Sequence, residues 1–278
     1  MTTALFLAML VCALLHAIWN AWVKSRPDPY RAVVALGVGA AWPNLLLLAW
    51  FGLPDISAFG WIALTIVLSV PAQALLGSAY REGDFAVAYP VIRGLNPVLI
   101  AVASVWVHGE RLETVQGLGV ACVSAGIVLL GWEAVQRSKT VSLRGLAFAG
   151  LSALVTALSV LADSLGARTA NDPLSYGPFI AVSNGIAMAA YQIRRIDLPA
   201  ALKTEWKLVL FGSIVSTLSY QILVYSITHA PVGLVVSLRE TSILFAVAIG
   251  IVFLKERVGV WRWVAVAAVF AGMVLIRN

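Results

Sequence analysis

Residues 85–111, FAVAYPVIRGLNPVLIAVASVWVHGER, decide the reading of this chain once they are laid over residues 231–257, PVGLVVSLRETSILFAVAIGIVFLKER. At a shift of 146, Arg93 falls on Arg239 and Glu110-Arg111 falls on Glu256-Arg257; further on, Ala125-Gly126 falls on Ala271-Gly272 without a gap. The chain is read as two related halves, each with one arginine inside a long apolar run. A charge near a bilayer centre costs about 2.5–3.5 kcal/mol on insertion scales, so a repeat that places one in each half points to a polar interior.

The surrounding composition fits that setting. Of 278 residues 61% are hydrophobic and 12% charged, with mean hydropathy +0.92. A soluble domain carries roughly 25% charged residues, and here the deficit runs the whole length, which predicts an integral membrane protein without an extramembrane domain. The net charge of +6 sits in short loops, so it is read as membrane orientation and not as a nucleic-acid surface. Cys12 and Cys122 lie in apolar runs, away from any second Cys or His at ligand spacing; no disulfide, metal site or cofactor is expected. The Met1-Thr2-Thr3 start lacks the basic region of a signal peptide, and the apolar run after it is read as a retained helix.

About 20 apolar residues cross a hydrocarbon core of about 30 Å. The expected spans are 4–24, 31–52, 60–80, 85–107, 113–132, 144–166, 174–193, 206–228, 232–254 and 258–276. They should be helices, because backbone groups in lipid must be satisfied within the segment and the runs lack barrel alternation. The fold class is therefore all-α integral membrane: ten transmembrane helices in two five-helix repeats, 1–132 and 144–278, joined by a linker at 133–143. An odd number of spans per half makes the repeats inverted. Loops after odd-numbered spans hold thirteen Lys/Arg against three (Arg111, Arg168, Arg277) on the other side. The positive-inside rule then puts both termini outside the cytoplasm of a multi-pass cell (inner) membrane protein.

Ten helices in inverted halves, His16-Ala17-Ile18-Trp19-Asn20 on the first, and the Gly109-Glu110-Arg111 and Lys255-Glu256-Arg257 turns resemble the drug/metabolite transporter superfamily, in particular its ten-helix EamA-like branch. The resemblance covers the whole chain and implies a transporter. Members similar to this chain export amino acids and other small metabolites, and relatives carry sugars, nucleotide sugars or triose phosphates. That branch is expected to keep its ends in the cytoplasm, which the charge count here reverses.

Arg93 and Arg239 should flank the midplane, each roughly 5 Å from it. A guanidinium forks onto a carboxylate, so Arg93 is read either as the substrate's carboxylate anchor or as half of a structural ion pair. Tyr89, Arg93 and Asn96 share a helix face, and Pro90 and Pro97 remove two amide donors, which predicts a kinked or partly unwound, gate-like helix. His16 and Asn20 share a face of the first helix, as cavity wall or interhelical glue. Gln73 and Pro71 match Ser219 and Thr217 in the repeat, and with Tyr220, Gln221 and Tyr225 they form a second candidate wall; Tyr80, Tyr176, Asn184 and Trp42 are lesser candidates. Asp163 and Glu240 are the carboxylates placed inside spans, open to proton coupling or to neutralising the arginines. An aromatic-walled cavity of this kind suits neutral or aromatic amino acids moved outward. Amphipathic drugs or cations and sugar-linked metabolites remain the alternatives, and the sequence leaves oligomeric state open. A membrane enzyme is disfavoured because no His-Glu-x-x-His, Gly-x-Ser-x-Gly or paired-carboxylate pattern appears.

Overall fold

The computed structural model describes residues 1–82, 85–137, 142–254 and 259–277; the side chains of Gln73, Tyr80, Tyr89 and Pro90, and all of Lys255, Glu256 and Arg257, lie outside the described set. The described residues are helical, with no strand among them. In order they form α1 (Thr3–Lys24), α2 (Pro29–Gly39), α3 (Ala41–Phe51), α4 (Phe59–Glu82), α5 (Phe85–His108), α6 (Thr114–Arg137), α7 (Leu143–Thr169), α8 (Pro173–Gln192), α9 (Leu198–Thr204), α10 (Ser213–His229), α11 (Val232–Glu240), α12 (Ser242–Leu254) and α13 (Val260–Arg277), with a π-helical turn at Leu208–Gly212. Among the described residues, seven stretches are long and apolar enough to cross a membrane: Thr3–Lys24, Pro29–Phe51, Thr114–Gly131, Leu143–Thr169, Leu208–His229, Val232–Ile249 and Val260–Arg277. The chain is thus a multi-pass helical membrane protein.

Local chemistry sets the ends. Asp28, Ser142, Asp172 and Asp197 each accept from a backbone amide of the turn that follows, and Pro29 and Pro173 lie in first turns, where a missing amide costs nothing. Gly52 (φ 80°) and Gly109 (φ 64°) follow α3 and α5 in a left-handed region that other residues avoid. Packing inverts the soluble pattern. Trp50 and Trp106 are 84% and 85% exposed, whereas Asn44 and Glu240 are 1% and 3% exposed, as expected when lipid surrounds an interior that keeps the polar groups. Among the helix pairs, α4 packs on α7, α1 on α10, α6 on α13 and α3 on α8, while α5 lies against α6, α7 and α11. The Arg277 guanidinium sits 5.7 Å from the Phe6 ring, so the two ends of the chain share one end of the bundle.

Four expectations change. Span 31–52 is divided at Ala40 into α2 and α3. Residues 133–137 of the expected linker are the last turns of α6, since no Pro or Gly follows Gly131 to stop it. The loop after span 7 contains α9, capped by Asp197 with Pro199 in its first turn. Finally, α5 runs unbroken past Pro97, just as α4 passes Pro71 and α8 passes Pro178. The interruption expected there lies instead at Thr241, between α11 and α12. The Thr241 amide and hydroxyl both donate to the Leu238 carbonyl, at 3.1 and 2.6 Å, tightening the turn and ending α11 without Pro or Gly.

Candidate functional site

The turn at Thr241 presents Glu240 to α5. Arg93 Nη1 donates to Glu240 Oε2 at 2.7 Å, and Arg93 Nη2 lies 3.0 Å from His16 Nε2 on α1. A guanidinium only donates, so His16 Nε2 accepts and the ring is neutral with its proton on Nδ1; its face is closed by Trp19, edge-on at 4.9 Å. Arg239, the repeat counterpart of Arg93, fares differently. Its Nη2 is 3.8 Å from Glu240 Oε1, beyond hydrogen-bond range, and its buried Nε has no hydrogen-bond partner.

Arg239 borders a cavity of ≈ 290 Å³. His16 and Trp19 of α1, Asn44 of α3, Ser69 of α4, Asn184 of α8, and Thr217, Ser219 and Tyr220 of α10 line it as well. The wall is internally ordered. Asn44 Nδ2 donates to Thr217 Oγ1 at 2.8 Å, Gln221 Nε2 donates to Asn44 Oδ1 at 2.9 Å, and Ser69 Oγ donates to Asn184 Oδ1 at 3.0 Å. Ser219 Oγ donates to the Cys12 carbonyl while Cys12 Sγ returns to the Ser219 carbonyl, locking α1 to α10. Tyr220 lines the cavity, and its hydroxyl donates to Asp163 Oδ2 at 2.8 Å; the Tyr176 hydroxyl donates to Asp163 Oδ1 at 2.9 Å.

At the bundle end that holds the termini, Arg168 gathers three elements. It donates from Nη2 to Glu110 Oε1 at 2.5 Å and to the Ala230 carbonyl, and from Nε to the Ile227 carbonyl. Glu110 Oε2 in turn accepts from Val232 N at 2.9 Å, the first amide of α11, where a carboxylate suits both the orphan donor and the helix dipole. These bonds tie the ends of α7 and α10 to the start of α11. The residues bordering the cavity belong to the middle of the helices and to the half toward the opposite end, where α1 finishes at Lys24.

Of the expected residues, His16, Asn184, Thr217, Ser219, Tyr220 and Arg239 meet at the cavity. Arg93 and Glu240 pair beside His16, and Asp163 is bonded to two tyrosines, Tyr176 and Tyr220. Asn20 turns back on its own helix, donating to the His16 carbonyl at 2.7 Å. Asn96 is buried, with an Oδ1 that has no hydrogen-bond partner. Tyr225 stacks on His229 near the helix end, and Trp42 donates to the Val209 carbonyl of the π turn. Tyr89 and Gln73 fall outside the described side chains. Sequence reasoning missed Asn44 and Ser69, isolated polar residues in apolar runs without a repeat partner to single them out. It also read Arg168 as a loop charge, although Arg168 lies in the last turn of the 27-residue α7, within reach of Glu110.

The profile of the EamA-like transporter family matches residues 143–278, the half that supplies Asp163, Tyr220 and Arg239. A curated relative, "Probable 4-amino-4-deoxy-L-arabinose-phosphoundecaprenol flippase subunit ArnE" of Enterobacter sp. (strain 638), is 34% identical over 73 residues, which are 26% of this chain and 67% of the relative. A protein of known crystal structure superposes with a TM-score of 0.78 over 100% of this chain and 99% of its own at 17% identity, which shows a shared fold. With the cavity formed largely by the matched half, and a relative of that identity and coverage beside it, the chain belongs to the EamA-like transporter family.

Proposed function

We propose that the protein is a secondary transporter that moves a small carboxylate-bearing metabolite, an amino acid or a similar acid, out of the cell by alternating access. The observation that carries this is the central cavity of ≈ 290 Å³ with Arg239 on its wall, a guanidinium whose buried Nε has no protein partner. Pockets that enclose small ligands start at about 300 Å³, so the space suits a metabolite of amino-acid size. Arg93 was the first candidate for the anchor in the sequence; its commitment to Glu240 and His16 moves that role to Arg239.

Ten crossings in two inverted repeats, 1–132 and 144–278, are part of the same reading. The packing supports it: α4 on α7 and α1 on α10 exchange under the repeat, while the α6–α13, α3–α8 and α5–α11 pairs map onto themselves. Helices α4, α5 and α8, of 24, 24 and 20 residues, are each about 30 Å or longer at 1.5 Å per residue and serve as the remaining crossings. The arginine and lysine count orients the termini outward in the cell (inner) membrane. The cavity then reaches toward the cytoplasm, and the Glu110–Arg168 tie closes the outer end. In this reading the Thr241 break between α11 and α12 is the moving part.

The ArnE relative favours a second reading, a lipid-linked sugar phosphate, since a phosphate would also take Arg239. Uptake of labelled amino acids and 2-hydroxy acids into proteoliposomes separates the two. Accumulation that disappears in Arg239→Ala supports the first reading. Absence of uptake by folded protein, with movement of a polyprenyl-phosphate sugar between leaflets, selects the second.

A further inference from the structure

Among the described residues lining the cavity, Arg239 carries the only formal charge, because His16 is held neutral by accepting from Arg93. The two nearby carboxylates stand behind the wall, Glu240 against Arg93 and Asp163 against Tyr176 and Tyr220. Arg93, Arg239, Glu240 and Asp163 together sum to zero. A zwitterion entering this space would leave its ammonium facing neutral oxygens, of which the Asn44 and Asn184 carbonyls already accept from Gln221 and Ser69. A net anion would be met by Arg239 but would leave the set at minus one in a low-dielectric interior, where an uncompensated charge is costly.

We propose, resting on the cavity being the transport site, that the preferred substrate is a net-anionic small carboxylate of the 2-hydroxy- or 2-oxo-acid class and that it travels with one proton taken up by Asp163, efflux from the cell being driven by the acid's own outward concentration gradient.

The hydrogen bonds supply the coupling. Both Asp163 oxygens now accept from tyrosine hydroxyls, which fixes the Tyr220 proton away from the cavity. When a proton from bulk water adds to Oδ2, that oxygen becomes a donor and the Tyr220 oxygen accepts from it. The Tyr220 hydrogen is then released to swing toward the cavity and donate to the substrate carboxylate beside Arg239. No other bond changes, and loss of the proton reverses the exchange. Glu240 is unsuited to this task because neutralising it would remove the carboxylate charge that Arg93 meets at 2.7 Å. Asp163 is faced by Tyr176 from α8, Tyr220 from α10 and the charge of Arg239 from α11. On its own helix, Ser164 binds His108 of α5 and Arg168 is occupied by Glu110, while α4 presents Thr65, whose carbonyl takes Ser159.

The test uses the full chain in proteoliposomes with the membrane potential clamped, and radiolabelled pairs matched in skeleton: L-lactate with L-alanine, and phenyllactate with L-phenylalanine. For at least one pair the hydroxy acid should enter about tenfold faster than the amino acid, and an inward proton gradient should raise its accumulation several-fold. In Asp163→Asn the ratio of flux with and without the gradient should fall to one. Tyr220→Phe, a second variant should Asp163→Asn not fold, should lower the same ratio. The proposal is overturned by hydroxy-acid flux indifferent to the gradient, by Asp163→Asn retaining the response, or by faster entry of the amino acids; in these cases the transport reading stands. If no probe of either pair moves in the parent protein, the transport reading for small acids falls and takes this proposal with it.

Discussion

Arg93→Leu separates a structural arginine from a binding one. Glu240 is 3% exposed and Arg93 16%, and they meet at 2.7 Å. Removing the guanidinium leaves Glu240 with Arg239 at 3.8 Å, and also leaves His16 Nε2 without its donor. Breaking one side of a buried ion pair costs about 3–5 kcal/mol, mostly the penalty of a carboxylate left buried and unpaired. Arg93→Leu should therefore lose about 3–5 kcal/mol. Arg93→Leu with Glu240→Leu should recover part of that, because no carboxylate is then left buried and unpaired and only the longer Arg239 contact at 3.8 Å is lost. Arg239→Leu gives up only the long contact and should cost far less while abolishing uptake. Urea unfolding in detergent followed by tryptophan fluorescence reads the stabilities, and reaction of the fully buried Cys12 with a fluorescent maleimide gives an independent probe of opening. The reasoning is refuted if Arg93→Leu is as stable as the parent, if the double variant is no better than the single, or if Arg239→Leu destabilises as much.

Glu110→Gln should loosen the closed end: losing a charge-assisted bond worth about 1.5–3 kcal/mol should speed hydrogen exchange at the Val232 amide about 10- to 100-fold, and unchanged protection there would count against the tie. At the α6–α13 contact, a Cβ on Gly272 would lie 2.6 Å from the Gly119 carbonyl and one on Gly119 2.8 Å from the Gly272 carbonyl; Gly272→Ala should cost about 1–3 kcal/mol by overpacking. The control Gly117→Ala, with nothing within 4 Å, should be neutral, and equal melting temperatures for the two would show that the helices have room to separate. In a cysteine-free background, Thr2→Cys should react with an impermeant maleimide in intact cells and Ser25→Cys should not; the reverse pattern would invert the assigned orientation.

The apolar runs made the helices legible, and the shift of 146 marked the two arginines. It could not say which faces the cavity, because a repeat treats its members alike. The asymmetry comes from one position: Glu240 follows Arg239, whereas Gly94 follows Arg93. Gly94 lets α6 come so close that a Cβ there would stand 2.6 Å from Val128, which seats α5 with Arg93 toward α11. The Thr241 turn, unmarked by Pro or Gly, aims Glu240 across the gap. One carboxylate thus serves two arginines, and the distances of 2.7 and 3.8 Å show which of them receives it. The tyrosine partners of Asp163, 13 and 57 residues away in the chain, were equally beyond a reading based on spacing, since they converge only when α8 and α10 pack on α7. Roles in such a cavity are therefore set by where helices end and how closely they approach, and a single glycine or threonine decides which of two equivalent charges is left open to a ligand.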